Sequence, residues 1–457
     1  MPVSFLGLIL DRAAGKQLAV HFRSSDYLHS KIRREGYLRT IQPIADRIKS
    51  LTIHVTISEW HWRIEHIPKL FAVPYPNLES LDLSYNAFRI PRHHRQSLYC
   101  PDIGDVNGPG VLELINLIPT GQLKHLTLRH MKRWPPTYFG SLTSLTLSGY
   151  ADGTTLAAAV PAIPALQKLK LESIKNRERY SCDPERLVKL DGQTLELARC
   201  NPNLLNMFAL SSTCSLVVTQ AMSQHAIAHG KGFQELWWLP DNLPAIRCLD
   251  GLEEVHFSIT KRPGRKGWIA SEQKTVCYST SGSVPKPSAT FILTYHFDAR
   301  TPLHKIPFGP KLLLPYPTPW GWVTRASFDG FHDQFRIRSN AVLKTLPNLR
   351  SLTLRRCDSG DLIRSITPDE LRGLESLCFE GELSGENFGD ILSRMFELRH
   401  ALPGLQLEDK DLKIVIAVSG DPSSMISAEQ MGRLKEYVHS VEATKVPGYS
   451  SVTTKYN

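Results

Sequence analysis

The residue types that most often carry chemistry occur in this chain without the spacing that chemistry requires. Histidines come close together at three places: His54 with His61 and His66, His93 with His94, and His125 with His130. A metal site needs ligands that converge on one point and are oriented by further hydrogen bonds. His54 and His125 instead fall at alternating strand positions that face solvent. We therefore interpret these histidines as surface residues and expect no metal site.

Catalytic motifs are absent from the sequence. It contains no G-x-S-x-G nucleophile elbow, no G-x-x-x-x-G-K-S/T phosphate loop, no H-E-x-x-H zinc motif and no calcium loop. The neighbours Glu253 and Glu254 lie on a predicted strand, where successive side chains point to opposite faces, so they cannot act as one acid/base pair. We predict no enzymatic activity and no cofactor. A divergent enzyme within residues 259–345 is an alternative that no set of residues supports.

The eight cysteines are scattered along 457 residues, with no C-x-x-C pair and no N-x-S/T glycosylation acceptor. This pattern favours a reduced compartment, and we predict a cytoplasmic or nuclear protein. No stretch approaches the ~20 apolar residues that a membrane-spanning helix needs, so we expect no membrane partner. The net charge of +10 could attract nucleic acid. The basic residues are spread out, however, and lack interleaved aromatic residues, so nucleic-acid binding is not our leading interpretation.

A phrase of three apolar residues, spaced as apolar-x-x-apolar-x-apolar, recurs ten times. It begins at Ile48, Leu78, Leu123, Leu142, Leu166, Leu205, Phe233, Leu252, Leu349 and Leu374. This spacing is the strand signature of a leucine-rich repeat, and several of the intervals are close to the length of one such repeat. Stacked repeats form an extended concave surface that commonly binds a partner.

The segments between these phrases indicate where helices would lie. We predict helices over 111–118, over 154–160, from Asp183-Pro184 toward Leu190, and over 215–229 ending at Gly230. No repeat phrase is found between Ser258 and Leu346. Within that interval, residues 274–280 and 290–297 alternate in polarity and predict a hairpin.

The predicted fold is an α/β, irregular leucine-rich-repeat solenoid, or horseshoe, with a parallel concave sheet, outer helices and one large insertion. Its predicted parts are an N-terminal helix/strand cap (1–46), leucine-rich repeats (47–258), an aromatic and proline-rich insertion (259–345), C-terminal repeats with a cap (346–443) and a flexible tail (444–457).

Four stretches carry a resemblance to a known family: residues 5–22, residues 47–53 and the two P-N-L repeats at 76–83 and 346–354. Together they resemble the repeat region of fungal, chiefly mushroom-type, F-box and leucine-rich-repeat proteins. The resemblance implies a substrate-recognition region of a ubiquitin-ligase receptor, in which an F-box binds a Skp-type cullin adaptor. No F-box precedes Phe5 in this sequence, so the residues present do not predict adaptor binding.

Strand geometry also predicts which residues meet a partner, because the third, fifth and seventh positions of each phrase project from the sheet. The candidate partner-binding residues are His125, Arg129, Lys168, Lys170, Met207, Trp237, Glu254, His256 and Arg355. We expect an apolar patch of Met207, Trp237 and Leu239 to hold a protein partner, with Trp237 as its anchor. Arg129, Lys168 and Lys170 would steer an acidic segment of that partner. The alternative is that the aromatic insertion folds over Trp237 and covers it.

The leading functional prediction is thus a protein–protein interaction scaffold related to ubiquitin-ligase receptors. Two alternatives stay open: a leucine-rich-repeat binding protein without any ligase link, and a basic protein associated with nucleic acid.

Overall fold

The structure is a computed structural model, and the residues it describes fall into two compact units, Met1–Cys214 and Ser215–Asn457. The described residues are 13, 15–23, 39–56, 73–86, 122–129, 139–149, 153–174, 187–200, 202–222, 245–263, 269–279, 289–297, 320–330, 343, 345–356, 373–380, 412–418, 428–437 and 439–445. The chain is α/β, with mostly parallel strands and few helices among these residues.

The first unit holds nine of the described strands. They are β1 (Leu18–Arg23), β2 (Ile48–Thr56), β3 (Ser80–Asn86), β4 (His125–Arg129), β5 (Ser144–Ser148), β6 (Lys168–Glu172), β7 (Val188–Leu190), β8 (Thr194–Ala198) and β9 (Phe208–Leu210). Seven of them pair side by side in the order β1-β2-β3-β4-β5-β6-β8, and every pairing is parallel. Strands β7 and β9 form a separate parallel pair.

The repeated leucines place one face of these strands in the core. Leu81, Leu126, Leu145, Leu169 and Leu195 lie in register across β3, β4, β5, β6 and β8, and each is at most 1% exposed. Burying one such side chain contributes about 1.5–3 kcal/mol relative to leaving it exposed. A shift by one residue would turn every leucine of a strand to the opposite face, so this burial fixes the register.

A tight turn with an apolar residue precedes several strands. The N–H of Leu78 donates to the carbonyl of Tyr75, and the same contact joins Leu142 to Phe139. In the second unit it joins Leu349 to Leu346. Tyr75, Phe139 and Leu346 are all buried. The repeated phrase therefore extends three residues further toward the N-terminus than the strand signature alone.

Several strands end in a residue with left-handed backbone conformation. Gly149 (φ 83°), Ser173 (φ 54°), Gly330 (φ 76°) and Arg356 (φ 47°) occupy this position. Their N–H groups donate to the carbonyl of the last residue of the neighbouring strand, at 2.7–3.0 Å. The shared conformation satisfies a backbone donor as the chain leaves the sheet.

The second unit contains nine further strands. They are β10 (Ser215–Met222), β11 (Leu252–Pro263), β12 (Ile269–Ser279), β13 (Ala289–Phe297), β14 (Arg325–Asp329), β15 (Ser351–Arg355), β16 (Ser376–Glu380), β17 (Lys413–Val418) and β18 (Ser440–Lys445). Their order is β10-β13-β12-β11-β14-β15-β16-β17-β18. Strand β12 runs antiparallel to both β11 and β13, and the other pairings are parallel.

Two α-helices lie entirely within the described residues, α1 (Gly153–Ala159) and α2 (Ala428–Tyr437). Residues 39–41 are also helical. Short 3₁₀ helices cover Gln42–Arg47, Val160–Ala162, Pro202–Met207, Arg247–Leu249 and Trp320–Trp322. In the described part of the chain, no helix combines the length and apolar character that crossing a membrane requires.

Nine of the ten predicted repeat phrases lie in described residues, and each overlaps a strand. The hairpin within 259–345 is also confirmed, as β12 and β13. The helix predicted over 154–160 is confirmed as α1, which is followed by the turn Val160–Ala162. The phrase beginning at Phe233 and the helix predicted over 111–118 lie outside the described residues.

Three predictions of local structure were wrong. The segment beginning at Ser215 was predicted to be helical, but its described part forms strand β10, in which Leu216 and Val218 alternate as buried residues. Residues 188–190, which were predicted to close a helix, form β7. The interval 259–345 does contain a repeat phrase, with Val323, Ala326 and Phe328 as its buried apolar residues, and this phrase overlaps strand β14. This phrase was not predicted because valine and alanine occupy two of its three apolar positions, where most of the other phrases have leucine.

Candidate partner-binding face

In the first unit, the residues between the buried leucines line up across the sheet on the opposite face. The upper row reads Ser80, His125, Ser144, Lys168 and Thr194, the middle row Asp82, Thr127, Thr146, Lys170 and Glu196, and the lower row Ser84, Arg129, Ser148, Glu172 and Ala198. We call this set the first polar face. Most of its side chains are half-buried, and His125 and Lys168 are exposed.

Arg129 lies between two carboxylates of this face. Its Nε is 3.5 Å from Oδ1 of Asp82, and its Nη1 is 3.3 Å from Oε2 of Glu172. Glu172 also pairs with Arg199, the left-handed residue that follows β8. The guanidinium of Arg129 therefore lies on the face where the sequence predicted it, but it forms part of a cluster of alternating charges.

Lys168 and Lys170 share one carboxylate. Their Nζ atoms lie 2.6 Å and 2.7 Å from the two oxygens of Glu196, whose side chain is 16% exposed. Burial alone would raise the pKa of Glu196, but hydrogen bonds from Lys168 and Lys170 outweigh it and hold that pKa below its usual value. Glu196 was missed in the sequence because its phrase begins with Gly192 instead of an apolar residue. The predicted basic stretch is therefore interleaved with acidic groups, and its role in steering a partner stays a prediction.

Met207 does not lie on this face, and this prediction was wrong. It ends the 3₁₀ helix Pro202–Met207 and is only 4% exposed. The phrase to which it belongs forms β9, which pairs with β7, while β8 takes the position beside β6. A methionine packs readily into such an irregular junction because its side chain is flexible and apolar. Trp237 and Leu239, the other members of the predicted apolar patch, lie outside the described residues.

The second unit presents a comparable face across β11, β14, β15, β16 and β17. Its rows are Glu254, Arg325, Ser351, Ser376 and Lys413, then His256, Ser327, Thr353, Cys378 and Val415, then Ser258, Asp329, Arg355, Glu380 and Ala417. We call this set the second polar face. Here too every second residue is buried on the opposite side, for example Val255, Phe257 and Phe328.

The three predicted residues of the second polar face each contact a neighbouring strand. Glu254 lies 3.3 Å from Arg325 Nε, and Arg355 Nε lies 2.5 Å from a carboxylate oxygen of Glu380. His256 Nδ1 lies 2.5 Å from the hydroxyl oxygen of Ser327, which is 9% exposed. Glu254 and His256 lie on one strand, and Arg355 is two strands away on β15.

The cysteine thiols of the described residues are suited to packing more than to nucleophilic chemistry. Cys200, Cys214, Cys248 and Cys277 are buried and form no disulfide. Burial raises the pKa of Cys200 to about 11. Cys378 is half-buried on the second polar face, and its pKa is also raised to about 11, by burial and by the nearby charge of Glu380. Among the described residues, no group of three or more His, Cys, Asp or Glu side chains is placed to hold a metal ion.

An open groove of about 530 Å³ lies along the starts of β11, β14, β15 and β16. We call it the Trp322 groove. It is lined by Gly251, Glu253, Trp322, Thr324, Arg325, Arg350, Ser351, Glu375 and Ser376. Leucine spacing does not predict this site, because Trp322 directly precedes a phrase that begins with valine. The available signal was the pair of tryptophans in Trp320-Gly321-Trp322, directly before the phrase that forms β14.

Comparison with known proteins adds no family to these observations: no protein-family model matches the chain, and no curated protein sequence is similar to it.

Proposed function

We propose that this chain is a protein-binding scaffold of the leucine-rich-repeat type, an irregular solenoid that resembles the substrate-recognition region of an F-box-type receptor. The observation that carries the proposal is the register of the repeated strands. Parallel neighbours align residue for residue, so that leucines fill one side and three rows of polar side chains line the other. Rows of this kind offer many separate contacts over a large area, as protein recognition requires.

The charge pattern supports a protein partner over a nucleic acid. Asp82, Glu172 and Glu196 alternate with Arg129, Lys168 and Lys170 on the first polar face. A polyanion gains most from an unbroken basic surface, because each neutralised phosphate releases counterions. An alternating pattern instead complements the mixed charges of a protein surface.

Site-specific photo-crosslinking tests this proposal. A photoreactive phenylalanine derivative is placed at exposed His125 on the first polar face and at Thr353 on the second, in the full chain. Matched control positions are Ala158 on α1 and Lys435 on α2, both exposed. In extracts of the cells that make the protein, we expect nuclease-resistant protein adducts at the two face positions and not at the controls. Equal labelling at all four positions, or adducts that nuclease removes, would contradict a protein-binding face.

The link to ubiquitin ligases is the finer part of the proposal, and the sequence resemblance alone supports it. Mixing the purified chain with a purified Skp-type adaptor and measuring co-elution tests this link directly. A stable complex supports a ligase receptor. Failure to co-elute supports a scaffold that binds its partner without that adaptor.

A further inference from the structure

Among the described residues of the second unit, Trp322 is unusual because its large apolar side chain is 64% exposed. It is the one large apolar side chain found exposed among the described residues. Its neighbour Trp320 is 2% exposed, so the turn Trp320–Trp322 directs one indole into the core and the other outward. Tryptophan is one of the residue types enriched at the energetic centres of protein interfaces.

The support beneath Trp322 is fixed on two sides. The N–H of Val323 donates to the carbonyl of Trp320 at 3.1 Å. The side-chain amide of Asn348 donates to the carbonyl of Gly321 at 2.6 Å. A preorganised aromatic side chain loses little conformational freedom when a partner packs against it.

Two arginines stand beside this indole with donors to spare. Arg350 Nη1 lies 3.2 Å from Glu375, and Arg325 Nε lies 3.3 Å from Glu254. The two arginine side chains are 63% and 51% exposed. A guanidinium has five N–H donors, and each contact described here uses one of them. Exposed ion pairs of this kind contribute little to the stability of the fold. The N–H donors that these contacts do not use can therefore donate to a carboxylate of a partner.

The acidic lining limits how much negative charge the groove accepts. Glu253 and Glu375 lie among the same lining residues as Arg325 and Arg350. A strand of phosphates would meet these two carboxylates as well as the arginines. A single carboxylate can contact the two arginines without meeting the two glutamates. The net charge of +10 on the whole chain assists its approach.

We propose that the Trp322 groove binds a short protein segment that carries one carboxylate close in sequence to an apolar side chain. The apolar side chain packs on Trp322, and Arg325 and Arg350 hold the carboxylate. The hydroxyls of Ser351 and Ser376, at the strand starts between the charged residues, are placed to meet the segment's backbone. This inference rests on the proposed function and names the chemistry of its partner.

Random peptides displayed on phage and selected on the full chain test the proposal, with the Trp322→Ala variant used for counter-selection. We expect enriched peptides to share an aromatic or aliphatic residue within a few positions of Asp or Glu. For a synthetic enriched peptide, Trp322→Ala should weaken binding at least ~10-fold, and Trp322→Phe should retain most of it. Circular dichroism of each variant checks that it folds.

The charge contact is tested separately by a double-mutant cycle. Arg350→Gln and replacement of the peptide carboxylate by its amide should each weaken binding several-fold. Applied together, they should cost little more than either alone, because both remove the same contact. Arg356→Gln is the matched control: Arg356 is 55% exposed and pairs with Asp329 at the opposite ends of the strands, so the affinity should not change.

Three results would overturn the inference: no enrichment over the Trp322→Ala variant, enriched peptides that are basic, or an affinity that Trp322→Ala leaves unchanged. If crosslinking at His125 still captures a protein, such a result removes only the role of the groove. If that crosslinking also fails, the proposed function fails with it.

Discussion

Replacing Glu196 with Gln tests whether the charges of the first polar face stabilise the first unit. Glu196 accepts hydrogen bonds from Lys168 and Lys170, and its side chain is 16% exposed. Glutamine keeps the shape and one acceptor oxygen of glutamate but removes its charge. The two lysines then lie on the same face of β6 without the shared carboxylate between them.

The expected loss follows from the exposure of each partner. Lys168 is 46% exposed, so its pair with Glu196 belongs near the middle of the ~0.2–1 kcal/mol range of exposed ion pairs. Lys170 is 28% exposed, which puts its pair at about 1 kcal/mol. Because glutamine retains part of this bonding, we expect Glu196→Gln to lower the local free energy of unfolding by about 1 kcal/mol at neutral pH.

The effect should depend on pH with a definite sign. Hydrogen bonds from the two lysines outweigh burial and hold the pKa of Glu196 below its unfolded value, which is ~4.3 for glutamate. A lowered pKa contributes stability that is fully present above the unfolded value and is lost as pH falls through the folded value. The difference between the wild-type chain and the variant should therefore be largest near pH 7 and shrink below about pH 4.

Hydrogen exchange followed by mass spectrometry suits this measurement because it reports local opening of β6 and β8 even if a long chain does not unfold in one step. A loss of 1 kcal/mol corresponds to about five-fold faster exchange. Glu442→Gln is the matched control: Glu442 lies 2.7 Å from Lys413 but is 52% exposed, so its removal should cost about 0.3 kcal/mol or less. Equal effects of the two variants, or no effect of Glu196→Gln, would refute the reasoning.

Three further outcomes are expected. Gly330→Ala should lower the local free energy of unfolding of β11 and β14, measured by the same hydrogen exchange, by at least ~3 kcal/mol, because an added Cβ would lie 2.5 Å from a carbonyl oxygen of β11 at φ 76°. Its matched control is Gly192→Ala, at φ 80° with open space around it, which should cost only ~1–2 kcal/mol. Phe257→Ala should cost ~3–5 kcal/mol, since Phe257 is fully buried and stacks on Phe328 at 4.8 Å; a loss below 1 kcal/mol would contradict its place in the core. Cys378, with its pKa raised to about 11, should react with iodoacetamide at pH 8 far more slowly in the folded protein than in urea, as mapped by mass spectrometry; equal rates would contradict the raised pKa.

Leucine spacing was enough to predict the parallel strands and the alternation of their side chains. Leu126 and Leu128 lie in the core and His125 faces solvent, as period-two alternation requires. The phrase could not show which strands become neighbours. The phrase at Leu205 has the same spacing as the others, yet it forms β9 outside the main row, because β8 occupies the position beside β6.

The same limit explains the errors at the candidate sites. Glu196 and Trp322 belong to strands or turns whose phrases begin with glycine or valine, so a search for leucine at fixed intervals passes over both. Met207 has the spacing of a surface position but the chemistry of a core residue, and the packing of β7 against β9 decides between them. Pairing between distant strands is a tertiary property, which local spacing does not encode.

The antiparallel strand β12 has a consequence for the order in which the second unit assembles. Strands β11, β12 and β13 follow one another along the chain and can pair as a local antiparallel meander. Strand β10 precedes them but hydrogen-bonds to β13, with Leu216 opposite Phe291, across about 75 intervening residues. Closing so long a loop carries a high entropic cost unless the meander already holds its far end in place. The pairing of β10 with β13 should therefore form after the meander of β11, β12 and β13.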